Sequence, residues 1–381
     1  MKCQRAKFML PRKVAYLNCA YMAPMMKKVE KAGIKGIQMK RKPYQVTPDD
    51  FFHDTETLRA MYAEVINAPD PNRIVVIPSV SYGMANVANN VNLKKGDKII
   101  VIGEQFPSNV YPWMAACKAA GAKLQIIEPP TGNESRGAKW NADILAAIDG
   151  STKLIALGHV HWADGTRFDL KAIRAKTKEV DSLMVIDGTQ SVGALPFDIQ
   201  EFEPDALVCA GYKWLMGPYS IGLAYYGPAF DEGAPVEDNW INRFESENFA
   251  NLINYQEGYQ PGALRYEVGE HSNFVLLPMM LQAVKQIRSW GVDNIQSYCK
   301  NLSAPFLEEI KSLGYQMEEE EYRSTHLFGI RLSAEHSLEK LQKSLKANKV
   351  SVSVRGSAIR IAPNVYNDSL DFKRLLRALD I

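Results

Sequence analysis

The sequence has no apolar run approaching the roughly 18 residues that a membrane-spanning helix needs. It also lacks an excess of charge of one sign, because 45 Lys and Arg residues stand against 43 Asp and Glu residues. Such a balance gives no indication of a nucleic-acid or membrane partner. The basic N-terminus is interrupted by charges and proline, so it lacks the apolar core of a signal peptide. These absences predict a soluble, cytoplasmic protein.

Cysteine is scarce in this chain. The five cysteines show neither the spacing of a disulfide framework nor a CxxC metal pattern. They are Cys3, Cys19, Cys117, Cys209 and Cys299. We therefore expect a reducing compartment and no metal site.

Short apolar runs alternate with helical patterns between about residues 55 and 230. Most of the runs are β-branched and apolar throughout, as strands buried on both faces should be. They are RIVVIP (73–78), KIIVIG (98–103), KLQIIE (123–128), KLIALG (153–158), LMVIDG (183–188), DALVCAG (205–211) and IGLAYY (221–226). Segments 82–91 and 111–120 are long enough for crossover helices. The pattern predicts an α/β fold with a mostly parallel, helix-covered sheet.

The rest of the chain follows a different pattern. Residues 231–270 interleave Gly, Pro, Asn and aromatics, and such a long irregular stretch is usually functional. A long helical pattern begins at Phe274, and strands near 326–332 and 350–354 and a helix from Asp371 follow it. We predict three parts: an N-terminal segment (1–45) packing with the small domain, a large domain (46–260) and a smaller α+β C-terminal domain (261–381).

A lysine directly follows one of the buried runs, within the segment AGYKWLMGP (210–218). If Lys213 is buried at the end of this strand, burial lowers its pKa and favours the neutral amine. The neutral amine is the form that condenses with a carbonyl group. Alternatively, Lys213 leaves the strand for solvent, and the local sequence alone does not exclude this.

Asp187 ends the apolar run LMVID (183–187). Ligands in open α/β sheets bind outside the carboxyl ends of the strands, so Asp187 and Lys213 should lie at one edge, one strand apart. A buried carboxylate needs a cationic partner, and a protonated pyridine nitrogen would serve as one. A helix cap would explain Asp187 by itself, but it would not explain the neighbouring lysine.

A polar turn, PSVSYGM (78–84), lies between the first buried run and a helix. Small polar residues at a helix N-terminus present N–H groups and hydroxyls to an anion. This pattern is weak alone. A phosphate cradle, an acid and a lysine in this order on one sheet edge are more specific, and together they indicate pyridoxal phosphate.

Motifs over nearly the whole chain resemble those of class V aminotransferases, a fold-type I pyridoxal-phosphate family that includes cysteine desulfurases, kynureninases and isopenicillin-N-epimerase-like proteins. These motifs are YLNCAY (16–21), SVSYG (79–83), GEQFPS (103–108), HVHW (159–162), DGTQ (187–190), Lys213, RYEVG (265–269) and RIAPNVYN (360–367). The resemblance implies a pyridoxal-phosphate-binding large domain, an amino acid substrate and a homodimer with active sites at the interface.

The resemblance also implies roles for individual residues. Lys213 would hold the cofactor as a Schiff base, and Asp187 would pair with its ring nitrogen. Phe106 would stack on the ring, and Gln190 would hydrogen-bond its phenolic oxygen. Three hydroxyl-bearing residues would hold the phosphate: Ser81, Tyr82 and Tyr212.

Arg360 would clamp the substrate carboxylate, for which the guanidinium fork is suited, although a surface arginine beside a strand is the simpler alternative. Tyr21 and Trp162 would contribute to the substrate site, and a packing role explains Trp162 equally well. These residues are the expected substrate contacts.

Two departures from the motifs of cysteine desulfurases reduce the number of reactions that this chain is expected to catalyse. Desulfurases carry a nucleophilic cysteine on a loop between two late arginines, whereas Arg355 and Arg360 are joined here by GSAI, without a cysteine. Tyr212, immediately before the lysine, and FPS (106–108) resemble kynureninase-like proteins instead. The desulfurase interpretation is therefore disfavoured.

The favoured function is an aminotransferase that acts on an amino acid through an external aldimine, with the freed Lys213 moving the α-proton. A kynureninase-like or C–S/C–C lyase, or an epimerase, is the alternative, because all of these reactions start from one carbanion and differ only in its later fate. A nucleotide-binding protein is disfavoured because no GxGxxG follows the first strand. The intact set of Asp187, Lys213 and Arg360 disfavours a non-catalytic scaffold.

Overall fold

The computed structural model describes residues 1–132, 135–333, 336–355 and 358–381. Its helices are α1 Lys27–Met39, α2 His53–Val65, α3 Val80–Asn89, α4 Tyr111–Ala120, α5 Arg136–Ala147, α6 Leu170–Glu179, α7 Ile199–Phe202, α8 Leu276–Trp290, α9 Val292–Ser312, α10 Leu338–Ala347 and α11 Ser369–Leu379. Its strands are β1 Ala15–Tyr16, β2 Ile74–Ile77, β3 Lys98–Ile102, β4 Lys123–Ile127, β5 Thr152–Gly158, β6 Leu183–Asp187, β7 Ala206–Ala210, β8 Gly222–Tyr226, β9 Gln316–Met317, β10 Phe328–Arg331, β11 Val350–Ser351, β12 Ser353–Arg355 and β13 Ala358–Ile361.

Among the described residues, seven strands form the central sheet in the order β2-β8-β7-β6-β5-β3-β4. The pairs from β4 to β7 are parallel, whereas β8 is antiparallel to both of its neighbours. Strands such as β3 and β7 are buried along their whole length, between apolar clusters on the two faces of the sheet. The prediction of a mostly parallel, helix-covered sheet is confirmed.

The direction of β8 was not visible in its apolar run. A parallel strand needs a crossover connection of about a dozen residues or more, usually through a helix. Residues 211–221, which join β7 to β8, contain no helix and include Lys213. The chain therefore returns antiparallel, and the connection is free to line the edge of the sheet.

The C-terminal elements form a separate antiparallel sheet, ordered β12-β13-β10-β9 within the described residues. The N-terminal β1 pairs in parallel with β11, with Ala15 opposite Val350. A third apolar cluster lies between these strands and the helices α9, α10 and α11. In contrast, α1 packs against α8. In the described parts of the chain, no helix is long and apolar enough to cross a membrane.

Element boundaries in this region differ from the sequence prediction. The long helical pattern after Phe274 is two helices, because Gly291 between them has a φ of 77°, which glycine adopts readily. The strand expected near 350–354 is two short strands, β11 and β12. The last helix begins at Ser369, since Asp368 and Asp371 form a capping box around its first turn.

A buried ion pair fixes the edge strand β2. Arg59 Nη1 donates to Glu267 Oε2 at 2.7 Å, and both side chains are almost fully buried. Glu267 Oε1 also accepts the N–H of Val76 at 3.0 Å. The carboxylate thus joins α2, β2 and the end of the irregular stretch.

We expect Glu267→Ala to lower the free energy of unfolding by about 3–5 kcal/mol, because it leaves the Arg59 charge buried without its partner. The matched control is Glu339→Ala, which removes an ion pair with Lys343 that is exposed on α10. This change should cost less than about 1 kcal/mol. Thermal and urea unfolding of both variants check the difference, and equal shifts would contradict the role given to the buried pair.

Candidate active site

Asp187 is the last residue of β6, and Lys213 follows the neighbouring strand β7. Both side chains line one cavity of about 300 Å³ outside the carboxyl ends of these strands. This volume is at the lower end of the range for small-molecule sites. The structure therefore brings the two central residues of the predicted site together.

Lys213 is buried in this cavity, with 6% of its surface exposed. Burial lowers the pKa of its amine to about 8, the nearby Asp187 raises it, and Arg360 and Arg355 lower it further. Nζ lies 5.4 Å from the centroid of the Phe106 ring. The amine is therefore held in a partly apolar environment that favours its neutral form.

We expect the cofactor-free protein to react with pyridoxal phosphate at a rate that rises with pH through about 8, as Lys213 loses its proton. A solvent-exposed lysine would instead titrate near 10.4. The rate at which visible absorbance appears, measured between pH 6 and 10 against free N-acetyl-lysine, checks this expectation. An apparent pKa equal to that of the free amine would contradict the burial argument.

Asp187 faces the cavity from the end of β6. Burial raises the pKa of its carboxyl, while hydrogen bonds from Thr189 and the charge of Lys213 lower it. Oδ1 accepts the N–H of Thr189 at 3.0 Å. Among the described residues it forms no ion pair within 4.0 Å, so this carboxylate is available to a cationic ligand.

The N-terminus of α3 forms another wall of the cavity. Ser79 caps the helix, and its Oγ accepts the N–H of Tyr82 at 3.2 Å. The N–H groups of Val80 and Ser81 in the first turn have no intrahelical acceptor. Ser81 Oγ also donates to Ser108 Oγ at 3.1 Å. Free N–H groups and two hydroxyls at a helix N-terminus suit a phosphate.

The hydroxyl-bearing residues predicted to hold the phosphate are placed differently from one another. Ser81 and Tyr212 line the cavity, whereas the Tyr82 side chain does not. The Tyr82 hydroxyl is buried on the side of Glu237, so only the main chain of this residue lies at the helix start. Sequence reasoning gave no role to Ser108, although it ends a motif that carried the resemblance.

The loop between β7 and β8 also contributes residues that sequence reasoning missed. Tyr219 and Ser220 line the cavity, and the Tyr219 ring lies 4.6 Å from that of Tyr212. No motif marked them, because they come together with Lys213 only when β8 turns back antiparallel. The nearest signal was the PYS sequence (218–220) after a glycine.

Phe106 and Trp162 form the aromatic side of the cavity. Their rings meet edge to face, with centroids 5.4 Å apart. Trp162 Nε1 donates to the Glu104 carbonyl at 2.6 Å, which fixes the indole. Phe106 lies over Lys213, so a flat ligand bound to the lysine would contact this ring.

Gln190 lines the cavity, but its amide is already engaged. Nε2 donates to the Ala20 carbonyl at 3.1 Å, and Oε1 accepts from Trp214 Nε1 at 2.9 Å. The second hydrogen on Nε2 can still serve a ligand. His326 Nε2 also contacts the Gln190 carbonyl at 2.8 Å, so the position of this residue is closely fixed.

Of the predicted substrate contacts, Trp162 lines the cavity, whereas Arg360 and Tyr21 do not. Arg360 is 1% exposed and donates through Nη1 to the Trp162 carbonyl at 2.6 Å. Burial, together with the charge of Arg355, lowers the pKa of Arg360 to about 10. Tyr21 is 57% exposed and does not line the cavity, although it lies close enough to Tyr212 to influence its pKa.

The described residues include no group of three or more His, Cys, Asp or Glu side chains arranged to hold a metal ion. The cavity instead combines a lysine, a carboxylate, an aromatic ring and a helix N-terminus. Such a set fits a flat cationic ring that carries an aldehyde and a phosphate.

Comparison with known proteins points to the same family as the sequence motifs. A family model described as "Aminotransferase class-V" matches residues 43–378. The chain is 24% identical over 323 residues to the uncharacterized aminotransferase YcbU of Bacillus subtilis (strain 168), a match that covers 84% of this chain and 82% of that protein. It is 26% identical over 263 residues to a cysteine desulfurase of Shigella sonnei (strain Ss046), a match that covers 68% of this chain and 62% of the desulfurase.

Solved structures share the fold. An apo cysteine desulfurase from Thermococcus onnurineus NA1 superposes with a TM-score of 0.84 at 20% identity, covering 100% of this chain and 98% of that one. The cystine C–S lyase C-DES, solved with cysteine persulfide, superposes with a TM-score of 0.83 at 18% identity, covering 97% and 98%. Since the family model spans nearly the whole sequence, the chain belongs to the class V aminotransferases, a family of pyridoxal-phosphate enzymes.

Proposed function

We propose that this protein is an aminotransferase for an α-amino acid, with Lys213 as the covalent attachment point of pyridoxal phosphate. One observation carries the proposal. Lys213 is buried with a pKa of about 8, one strand away from Asp187, in a cavity bordered by the N-terminus of α3. A neutral amine, a carboxylate and an anion cradle are what this cofactor requires.

The residues that line the cavity fit pyridoxal phosphate at both its pyridine nitrogen and its phosphate. Asp187 would hold the pyridine nitrogen, since Lys213 is the one cationic group that influences its carboxylate among the described residues. The first turn of α3, with Ser81 and Ser108, would hold the phosphate. Phe106 would cover the ring. When bound, the cofactor supplies an electron sink for the carbanion formed at the substrate Cα.

The protein residues account for the other requirements of the reaction. Arg360 would bind the substrate carboxylate, because its buried Nε has no hydrogen-bond partner among the described residues. Phe106 and Trp162 would exclude water from the reacting atoms. The Lys213 amine would move the α-proton, for which a pKa near the working pH is suited.

The cysteines disfavour persulfide chemistry in this protein. A nucleophilic cysteine must be accessible and readily deprotonated. Cys19, which is close enough to Lys213 to influence its pKa, is fully buried, and burial raises the pKa of its thiol to about 11. Arg355 pairs with Ala358, so the connection between β12 and β13 comprises only residues 356–357, which lie outside the described residues. These features disfavour a desulfurase. They are compatible with the transamination proposed here and with its alternatives, a lyase or an epimerase.

The test begins with the purified protein after incubation with pyridoxal phosphate. We expect visible absorbance that borohydride abolishes, with the reduced cofactor attached to the peptide containing Lys213. Amino acids are then added with and without 2-oxo acids. In transamination, the amount of new amino acid formed equals the amount of donor amino acid consumed. A lyase instead releases its product without a 2-oxo acid. A protein left unlabelled by borohydride would refute the proposal.

A further inference from the structure

Two arginines of the C-terminal sheet lie on the same side of the active site. In the register of β12 and β13, Ser353 pairs with Arg360, and Arg355 pairs with Ala358. Cross-strand partners share a face of the sheet, and so do alternate residues along one strand. Arg355 and Arg360 therefore project from the same face.

Both side chains reach Trp162, which lines the cavity. Arg360 Nη1 donates to the Trp162 carbonyl at 2.6 Å. The guanidinium carbon of Arg355 lies 5.5 Å from the centroid of the Trp162 ring. Arg360 thus contacts the main chain of Trp162, and Arg355 contacts its indole ring.

Neither arginine has a carboxylate partner within ion-pair distance among the described residues. By contrast, the buried Arg59 and Arg136 each contact a carboxylate. Within the described residues, Arg355 Nη1 donates to the neighbouring Val354 carbonyl alone, and the Nε atoms of Arg355 and Arg360 are buried without a hydrogen-bond partner. Unpaired guanidinium groups beside a cavity indicate that a ligand supplies the anions.

One guanidinium is sufficient for the α-carboxylate of an amino acid, so the second is available to another anion. We propose that Arg355 is a specificity-determining residue that binds an acidic side chain of the substrate, while Arg360 binds the α-carboxylate. The substrate class would then be dicarboxylic amino acids, of which aspartate and glutamate are the simplest. This inference rests on the proposed function, because Arg360 takes its role from it.

The primary test measures binding by calorimetry and does not depend on turnover. The protein loaded with pyridoxal phosphate is titrated with succinate, glutarate and butyrate. At least one dicarboxylate should bind roughly 10- to 100-fold more tightly than butyrate, as expected for an additional charged hydrogen bond. Arg355→Gln should remove this difference without changing the affinity for butyrate, and Arg360→Gln should weaken binding of all three.

Two further variants act as controls. Arg41→Gln changes an exposed arginine after α1 and should leave every affinity unchanged. Arg355→Lys keeps the charge and should retain part of the dicarboxylate preference, which separates loss of charge from local unfolding. The proposal is overturned if the unaltered protein binds butyrate as tightly as the dicarboxylates, or if Arg355→Gln weakens both ligand classes equally.

An activity measurement extends the test. Aspartate and glutamate should be better donors than asparagine and glutamine, and Arg355→Gln should raise KM for the acidic pair with little change in kcat. The two proposals fail in different ways. A missing borohydride label at Lys213 would refute the pyridoxal-phosphate function, whereas a missing dicarboxylate preference in a labelled protein would refute only the role of Arg355.

Discussion

Lys213→Ala is expected to abolish covalent retention of pyridoxal phosphate and to lower turnover by about 10²- to 10⁴-fold, the range that a positioned acid–base group contributes. Asp187, the first turn of α3 and Phe106 remain in place, so the cofactor should still bind without a covalent bond. Dialysis would then remove it from the variant but not from the unaltered protein. Visible spectra before and after dialysis, together with borohydride labelling, check the result.

Lys285→Ala provides a matched control, because Lys285 lies exposed on α8, outside the cavity. It should keep the visible absorbance, the label and the activity. Added methylamine can also replace the missing amine in part, so it should restore some turnover to Lys213→Ala. If Lys213→Ala keeps its label after borohydride, then another lysine holds the cofactor.

Asp187→Asn is expected to lower activity by roughly 10²- to 10³-fold, because a neutral amide no longer stabilises a protonated pyridine nitrogen in a buried site. The substitution is nearly isosteric, and its amide oxygen can still accept the Thr189 N–H that Asp187 accepts now. Asp187→Glu keeps the charge but not the geometry and should recover part of the loss. The absorbance spectrum should also shift, since the ring loses its positive charge.

Asp187→Asn could also lose activity because it misfolds. The stability of the cofactor-free variant distinguishes misfolding from loss of the charge that stabilises the pyridine nitrogen. Burial raises the pKa of Asp187 in the folded state above its unfolded value. The unfavourable contribution of its charge therefore grows as the pH rises from the unfolded-state pKa to the folded-state pKa. Asp187→Asn removes it, so the cofactor-free variant should be at least as stable as the unaltered protein at pH 7. A large fall in its melting temperature would show that Asp187 acts structurally.

The apolar runs determined the central sheet, because strands buried on both faces must be apolar throughout. The rule that ligands bind at the carboxyl ends of such strands then located Asp187 and Lys213 at one edge. Their roles remain predictions, but the residues that would perform them lie together around one cavity. Local sequence was sufficient here because each residue directly follows its own strand.

Side-chain direction could not be predicted in the same way. Tyr82 belongs to the predicted phosphate turn, but the rotation of α3 directs its hydroxyl towards Glu237 instead of the cavity. The β7–β8 connection placed Tyr219 and Ser220 in the wall, since β8 returns antiparallel. Both outcomes depend on the packing of helices and strands, which periodicity does not report.

The sequence alone determined the fold class, the family resemblance and the edge of the sheet that carries Asp187 and Lys213, because these follow from local patterns and short motifs. Which side chains meet across the chain depends on how distant segments pack together. Arg355 and Arg360 reach Trp162, about 200 residues earlier in the sequence, through the pairing of β12 with β13 and the docking of that sheet. Such contacts depend on packing between distant segments, so no local pattern contains them.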